Sequence, residues 1–67
     1  MADLTLTKRE AQVLQRIADG RLCKQVAGDL HITESTVQSH IANIRKRHHI
    51  QGLPAMVAAA IRQGLIK

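Results

Sequence analysis

The stretch Ile32-Thr33-Glu34-Ser35-Thr36-Val37-Gln38-Ser39-His40 decides how this chain folds. Thr33 is suited to cap a helix, because its hydroxyl can accept from a free backbone N–H two or three residues on. Glu34 then sets a negative charge at the positive end of the helix dipole. Beyond the cap, Val37, Ile41 and Ile44 recur at helical spacing and form one apolar face. The other face carries Gln38, Ser39, Ala42 and Asn43, which are short and mostly polar, and Lys46 follows one turn on. A helix with an apolar back, small hydrogen-bonding groups in front and cations at its end is what reading the DNA major groove requires.

Working outward, the 67 residues make one domain with a small core, so partner binding or dimerisation is expected to supply part of the stability. The formal net charge of +5 is unevenly spread. Residues 1–32 nearly balance cations and anions, whereas residues 33–67 carry five Lys/Arg against Glu34 alone. The basic excess therefore sits in the half that holds the candidate reading helix, which points to a polyanionic partner. Without Phe, Tyr or Trp, no aromatic platform exists for stacking single-stranded bases. No apolar run is long enough to span a bilayer, and no signal peptide is visible. One cysteine cannot form an internal disulfide, so a reducing, cytoplasmic compartment is expected. The start at Met1 and a complete last helix suggest a whole small protein; an excised domain with an added Met is the alternative.

The pattern predicts an all-α fold of four helices. The first runs from about Lys8 to Asp19, opened by the capping box Thr7-Lys8-Arg9-Glu10. Ala11, Val13, Leu14, Ile17 and Ala18 form its buried stripe, and Gly20 suits a left-handed C-terminal turn. The second spans about Lys24 to Leu30, with Val26, Ala27 and Leu30 facing the core. Gly28 inside it costs roughly 1 kcal/mol relative to Ala. Either a close helix contact justifies that cost, or the residue is exposed and tolerated. His31-Ile32 makes the tight turn into the third helix, which runs from Glu34 to Arg47 or His48. The fourth begins near Pro54, which needs no N–H in a first turn. Its core stripe is expected to be Met56, Val57, Ala60 and Ile61, with Gly64 ending it and Leu65-Ile66 folding back. Helices two and three, joined by a short turn, define a helix-turn-helix braced from behind by helix one.

The ordered set Leu6-Thr7-x-Arg9-Glu10, Val13-Leu14, Ile17-Ala18-x-Gly20, Lys24-x-Val26-Ala27, Leu30-x-Ile32-Thr33, Thr36-Val37, His40, Ile44, Lys46-Arg47, Ile50 and Gly64-Leu65-Ile66 resembles the LuxR/GerE-type DNA-binding domain. The resemblance extends from Leu4 to Ile66, and the chain is similar to the small stand-alone members. It implies a four-helix domain whose third helix enters the major groove and whose fourth helix pairs with its symmetry mate. The chain departs from the pattern at Cys23, where a polar residue is usual, and at Gln25, where Glu is common. It departs again at His48-His49, in place of Leu-Gly, and at Gly52-Leu53-Pro54, where an arginine is lost. His48 is then expected to be partly buried, and the junction before helix four to differ.

These readings assign base contacts to Gln38, Ser39 and Ala42. Gln38 can pair with adenine, and Ala42 can touch a thymine methyl. Phosphate contacts are assigned to Lys24, Ser35, Thr36, Asn43 and Lys46, with Lys24 aided by a helix N-terminus. The competing readings are an idle exposed lysine at 24 and a packed methyl at Thr36. Arg45 is expected to project away from the groove. Helix four would leave Ala55, Ala58, Ala59 and Arg62 outside, as a self-complementary homodimer face that closes only on DNA if the interface is small. The histidines and Cys23 do not match metal-ligand spacing, and His40 is expected half-buried and hydrogen-bonded. No cofactor and no catalytic set is indicated, so the chain is not read as an enzyme. The leading function is a sequence-specific double-stranded DNA-binding transcription regulator, with RNA polymerase a candidate further partner. The alternatives are a sigma region-four-like promoter-binding module and a non-DNA-binding inhibitor that heterodimerises with a related regulator. A full helix after the reading helix weighs against the sigma-like module.

Overall fold

A computed structural model describes residues 4–67; Met1 lies outside the described residues. The elements are α1 (Lys8–Ala18), α2 (Cys23–Leu30), α3 (Glu34–His48) and α4 (Leu53–Arg62). Among the described residues there is no strand. The expected architecture is therefore the observed one, with boundaries shifted by a residue where caps decide them. Asp19 caps α1 rather than continuing it, and α2 and α4 each start one residue early, at Cys23 and Leu53.

Each helix start has a local cause. At α1 the capping box is complete: Glu10 N–H donates to Thr7 Oγ1 at 3.1 Å, and Thr7 N–H donates to Glu10 Oε1 at 2.9 Å. At α3, Thr36 N–H donates to Thr33 Oγ1 at 3.1 Å. Leu22, before α2, has no side-chain oxygen to offer. Gln25 supplies half of a box by accepting from Leu22 N–H at 2.9 Å, so replacing Glu there keeps the cap and removes only the charge. Gly20 and Gly64 end α1 and α4 with φ of 90° and 73°.

The core is made where the four apolar stripes meet. Val13 and Leu14 of α1, Val26 of α2, Val37 and Ile44 of α3, and Met56 and Ala60 of α4 are fully buried. Helix α3 packs on both α2 and α1, while α4 lies against α1. Leu4 and the returning Ile66 close the ends. The C-terminal end of the chain is pinned by Gln15, whose amide donates to Lys67 O at 3.0 Å and accepts from Lys67 N–H at 2.8 Å.

Two positions on α4 correct the expected faces. Ile61 is 46% exposed rather than in the core, and Ala59 is half-buried against the core rather than outside. The buried stripe centres on Leu53, Met56 and Ala60, and Ile61 lies about 100° further round from Ala60. Ile66, brought back by the reversal at Gly64, is the residue buried at that end.

The Glu10–Arg47 ion pair ties α1 to the end of α3. Glu10 is only 3% exposed. Its Oε1 accepts from Arg47 Nη2 at 2.6 Å and its Oε2 from Nη1 at 3.3 Å, while Nη2 also donates to Thr5 O at 2.7 Å. The oxygen that completes the α1 cap thus also holds the C-terminal end of α3. Burial pushes the Glu10 carboxyl upward. The Arg47 hydrogen bond, the Thr7 N–H and the charges of Arg47 and His40 outweigh it and hold the group below its ordinary value.

Candidate nucleic-acid interface

The turn between α2 and α3 sets their crossing. His31 caps α2 in the left-handed region at φ 58°, and Ile32 N–H donates to Ala27 O at 3.0 Å. Histidine is among the non-glycine residues enriched at positive φ, though the conformation still costs energy. Below this turn, Asp29 accepts from Arg21 through Nε at 3.0 Å and Nη2 at 2.8 Å, with Arg16 Nε at 3.7 Å. The Arg21 hydrogen bond is the main reason the Asp29 carboxyl lies below its ordinary value.

On α3, Val37, Ile41 and Ile44 are buried, which fixes the opposite face to solvent. Ser35, Thr36, Gln38, Ser39, Ala42, Asn43 and Lys46 are all exposed there, and Lys24 is exposed in the first turn of α2. The structure thus brings every proposed base- and phosphate-contacting side chain onto the surface of two adjoining helices. Thr36 is not tucked beneath the helix; its hydroxyl lies 2.9 Å from that of Thr33. Gly28 faces open space, so no close helix contact explains it, and it is an exposed, tolerated cost.

Sequence reasoning misses two residues. Arg45, expected to point away, lines one cleft of about 370 Å³ with Gln38, Ile41, Ala42 and Leu53. The spacing 38, 42, 45 is a same-face pattern, and that signal is present in the sequence. Arg47, read as one more cation at the helix end, is instead held by Glu10. His40 is half-buried as expected and close enough to Glu10 to influence its ionisation, but its ring makes no hydrogen bond among the described residues. His48 is half-buried, its Nε2 3.2 Å from both Thr5 N and Thr5 O. Cys23 is half-buried against the core. Among the described residues, no group of His, Cys, Asp or Glu could hold a metal, and no helix is long and apolar enough to cross a membrane.

A short turn joining two helices, the second anchored by its back and open in front, defines the class: a helix-turn-helix DNA-binding domain. Residues 4–60 match the bacterial regulatory proteins of the luxR family, and the chain belongs to that family. It is 34% identical over 59 residues to the spore germination protein GerE of Bacillus subtilis, covering 88% of this chain and 80% of GerE. It is 36% identical to the response regulatory protein YgeK of Escherichia coli, covering 96% of this chain and 44% of YgeK. In structure it is similar to the response regulator ChrA of a heme-sensing two-component system. The TM-score is 0.83 at 32% identity, covering 98% of this chain and 33% of that one. The chain thus spans less than half the length of YgeK and a third of ChrA. It is a DNA-binding transcription-regulator domain, not an enzyme.

Proposed function

We propose that this domain regulates transcription by inserting α3, residues 34–48, into the major groove of a specific duplex. Gln38, Ser39 and Ala42 read base edges, while Lys24, Ser35, Thr36, Asn43 and Lys46 hold phosphates. The observation that carries the reading is the division of α3. Its back is locked by Val37, Ile41 and Ile44, and its front presents small polar and cationic side chains to solvent. Such a surface has no packing role and suits the groove. A cytoplasmic, nucleoid-associated location follows from the DNA partner.

The domain acts as a homodimer through α4. The exposed face holds Ala55, Ala58, Ile61 and Arg62, continued by Leu65. Ile61 takes the place first given to Ala59. Small alanines beside two exposed large apolar residues suit a two-fold, self-complementary contact. The two α3 helices then meet half-sites about one helical turn apart on a pseudo-palindromic operator. Selecting bound duplexes from a random pool tests the whole reading, and an inverted repeat with that spacing is expected. Ala58→Glu puts like charges near the two-fold axis. It should leave the circular dichroism and half-site binding unchanged and abolish cooperative binding to the full site. Wild-type cooperativity in that variant would remove α4 from the dimer contact.

A further inference from the structure

The reading helix, as assigned from sequence, lacks an arginine in its first turns and hence the commonest guanine contact. The arginines around the helix-turn-helix differ in what they hold. Arg16 and Arg21 are paired with Asp29, and Arg47 is paired with Glu10. The Arg45 side chain has no carboxylate or hydrogen-bond partner among the described residues, and it is exposed. It lines the cleft that Gln38 and Ala42 also line, with Ile41 and Leu53 as apolar floor. The three residues 38, 42 and 45 therefore form one row along the outward flank of α3, where Leu53 begins α4. An unpaired guanidinium on an exposed row with an amide and a methyl is a built hydrogen-bonding fork. All its donors are free for a ligand.

We infer that Arg45 is a specificity-determining residue of this domain, reading a guanine through its O6 and N7 in the major groove. The inference rests on the proposed insertion of α3 and extends its contact row by one turn. Arg45 lies seven residues beyond Gln38, which at about 1.5 Å per residue is roughly 10 Å along the helix axis. That distance is about three base-pair steps of ~3.4 Å, so Arg45 addresses a different base pair from Gln38. A bidentate arginine also explains why Gln38, Ser39 and Ala42 suffice elsewhere. The row then holds an adenine reader, a methyl contact and a guanine reader in sequence.

The test uses the duplex that the wild-type chain selects from a random pool, together with all its single-base variants. Arg45→Ala is expected to weaken binding to the selected duplex on the order of tenfold to a hundredfold. It should also erase preference at one G·C pair per half-site, a pair distinct from the one relaxed by Gln38→Ala. Arg45→Lys should not restore that preference, because an ammonium lacks the planar fork. A uniform loss across all variants, with the salt slope reduced by about one, would make Arg45 a phosphate contact and overturn the inference. Unchanged affinity and selectivity would overturn it as well. A wild-type chain that enriches no duplex would instead refute the insertion of α3 itself. Because Arg45 is exposed, unchanged circular dichroism in both variants separates these outcomes from unfolding.

Discussion

Glu10→Gln isolates the charge of the one buried carboxylate among the described residues while keeping its shape. In the native chain Oε1 accepts from both Arg47 Nη2 and Thr7 N–H, whereas Oε2 accepts only from Nη1 at 3.3 Å. A glutamine with its carbonyl in the Oε1 position keeps the two short bonds and sets its NH2 against Nη1. The variant therefore loses charge assistance and one long bond. Charged hydrogen bonds contribute about 1.5–3 kcal/mol and neutral ones about 0.5–1.5, so the expected cost is about 1–2 kcal/mol. A domain of this size holds roughly 3–10 kcal/mol in total. At about 4–8 °C per kcal/mol, the midpoint should fall by roughly 4–16 °C in thermal unfolding followed by circular dichroism at neutral pH. The pH arm follows from the lowered ionisation of Glu10. A carboxyl whose folded value is depressed contributes fully above its ordinary value of 4.5. The contribution is lost as pH falls below that through the folded value. The native chain and the Glu10→Gln variant should therefore converge in stability in acid. Equal midpoints at neutral pH, or a gap that persists in acid, would refute the assignment of this pair as a stabilising one.

Other outcomes follow from single features of the backbone and surface. His49 caps α3 at φ 55°, so His49→Gly should raise stability by about 0.5–1 kcal/mol in urea titration, relief of the left-handed strain exceeding the added chain entropy. Gly28→Ala should add up to about 1 kcal/mol, measured the same way, because a Cβ there meets nothing within 4 Å. Lys24→Ala should weaken binding to all duplexes about equally and reduce the slope of log K against log salt by about one, measured by titration at several salt concentrations. A loss confined to one base pair would contradict its phosphate role.

The parts of this fold that the sequence announced are those whose causes are local. Thr7 and Glu10, or Thr33 and its following turn, lie within three residues of each other, so their bonding is readable from spacing. The buried stripes of α1 and α3 follow from helical period alone. What stayed hidden depends on chain brought in from afar. Arg47 is 37 residues from Glu10, and nothing in its own helix distinguishes it from Lys46. Ile61 reads as a core residue because periodicity cannot say where a short helix stops needing cover. Ile66 settles that by returning to the core. Arg45 is misplaced for a different reason. Its register is legible, but the start of α4 at Leu53, which gives the row its second wall, is not.

The few anions of this chain decide which cations remain for a polyanion. Asp29 holds Arg21 and Arg16 at the α1–α2 corner, and Glu10 holds Arg47 at the far end of α3. Among the described residues, the Lys and Arg side chains of α2 and α3 without a carboxylate are Lys24, Arg45 and Lys46, and each is exposed. The same ion pairs that fasten the helices together thus offset the charges of Arg16, Arg21 and Arg47. Of the exposed cations left without a carboxylate among the described residues, Lys24, Arg45 and Lys46 stand on the two helices of the helix-turn-helix, and Lys8, Arg9, Arg62 and Lys67 stand elsewhere on the surface. Cations on a surface act on a polyanion at long range, and their placement, beyond the net charge, orients its approach. On the proposed docking of α3, Glu10 and Asp29 would shape the charge offered to DNA through the arginines they hold, without touching the duplex.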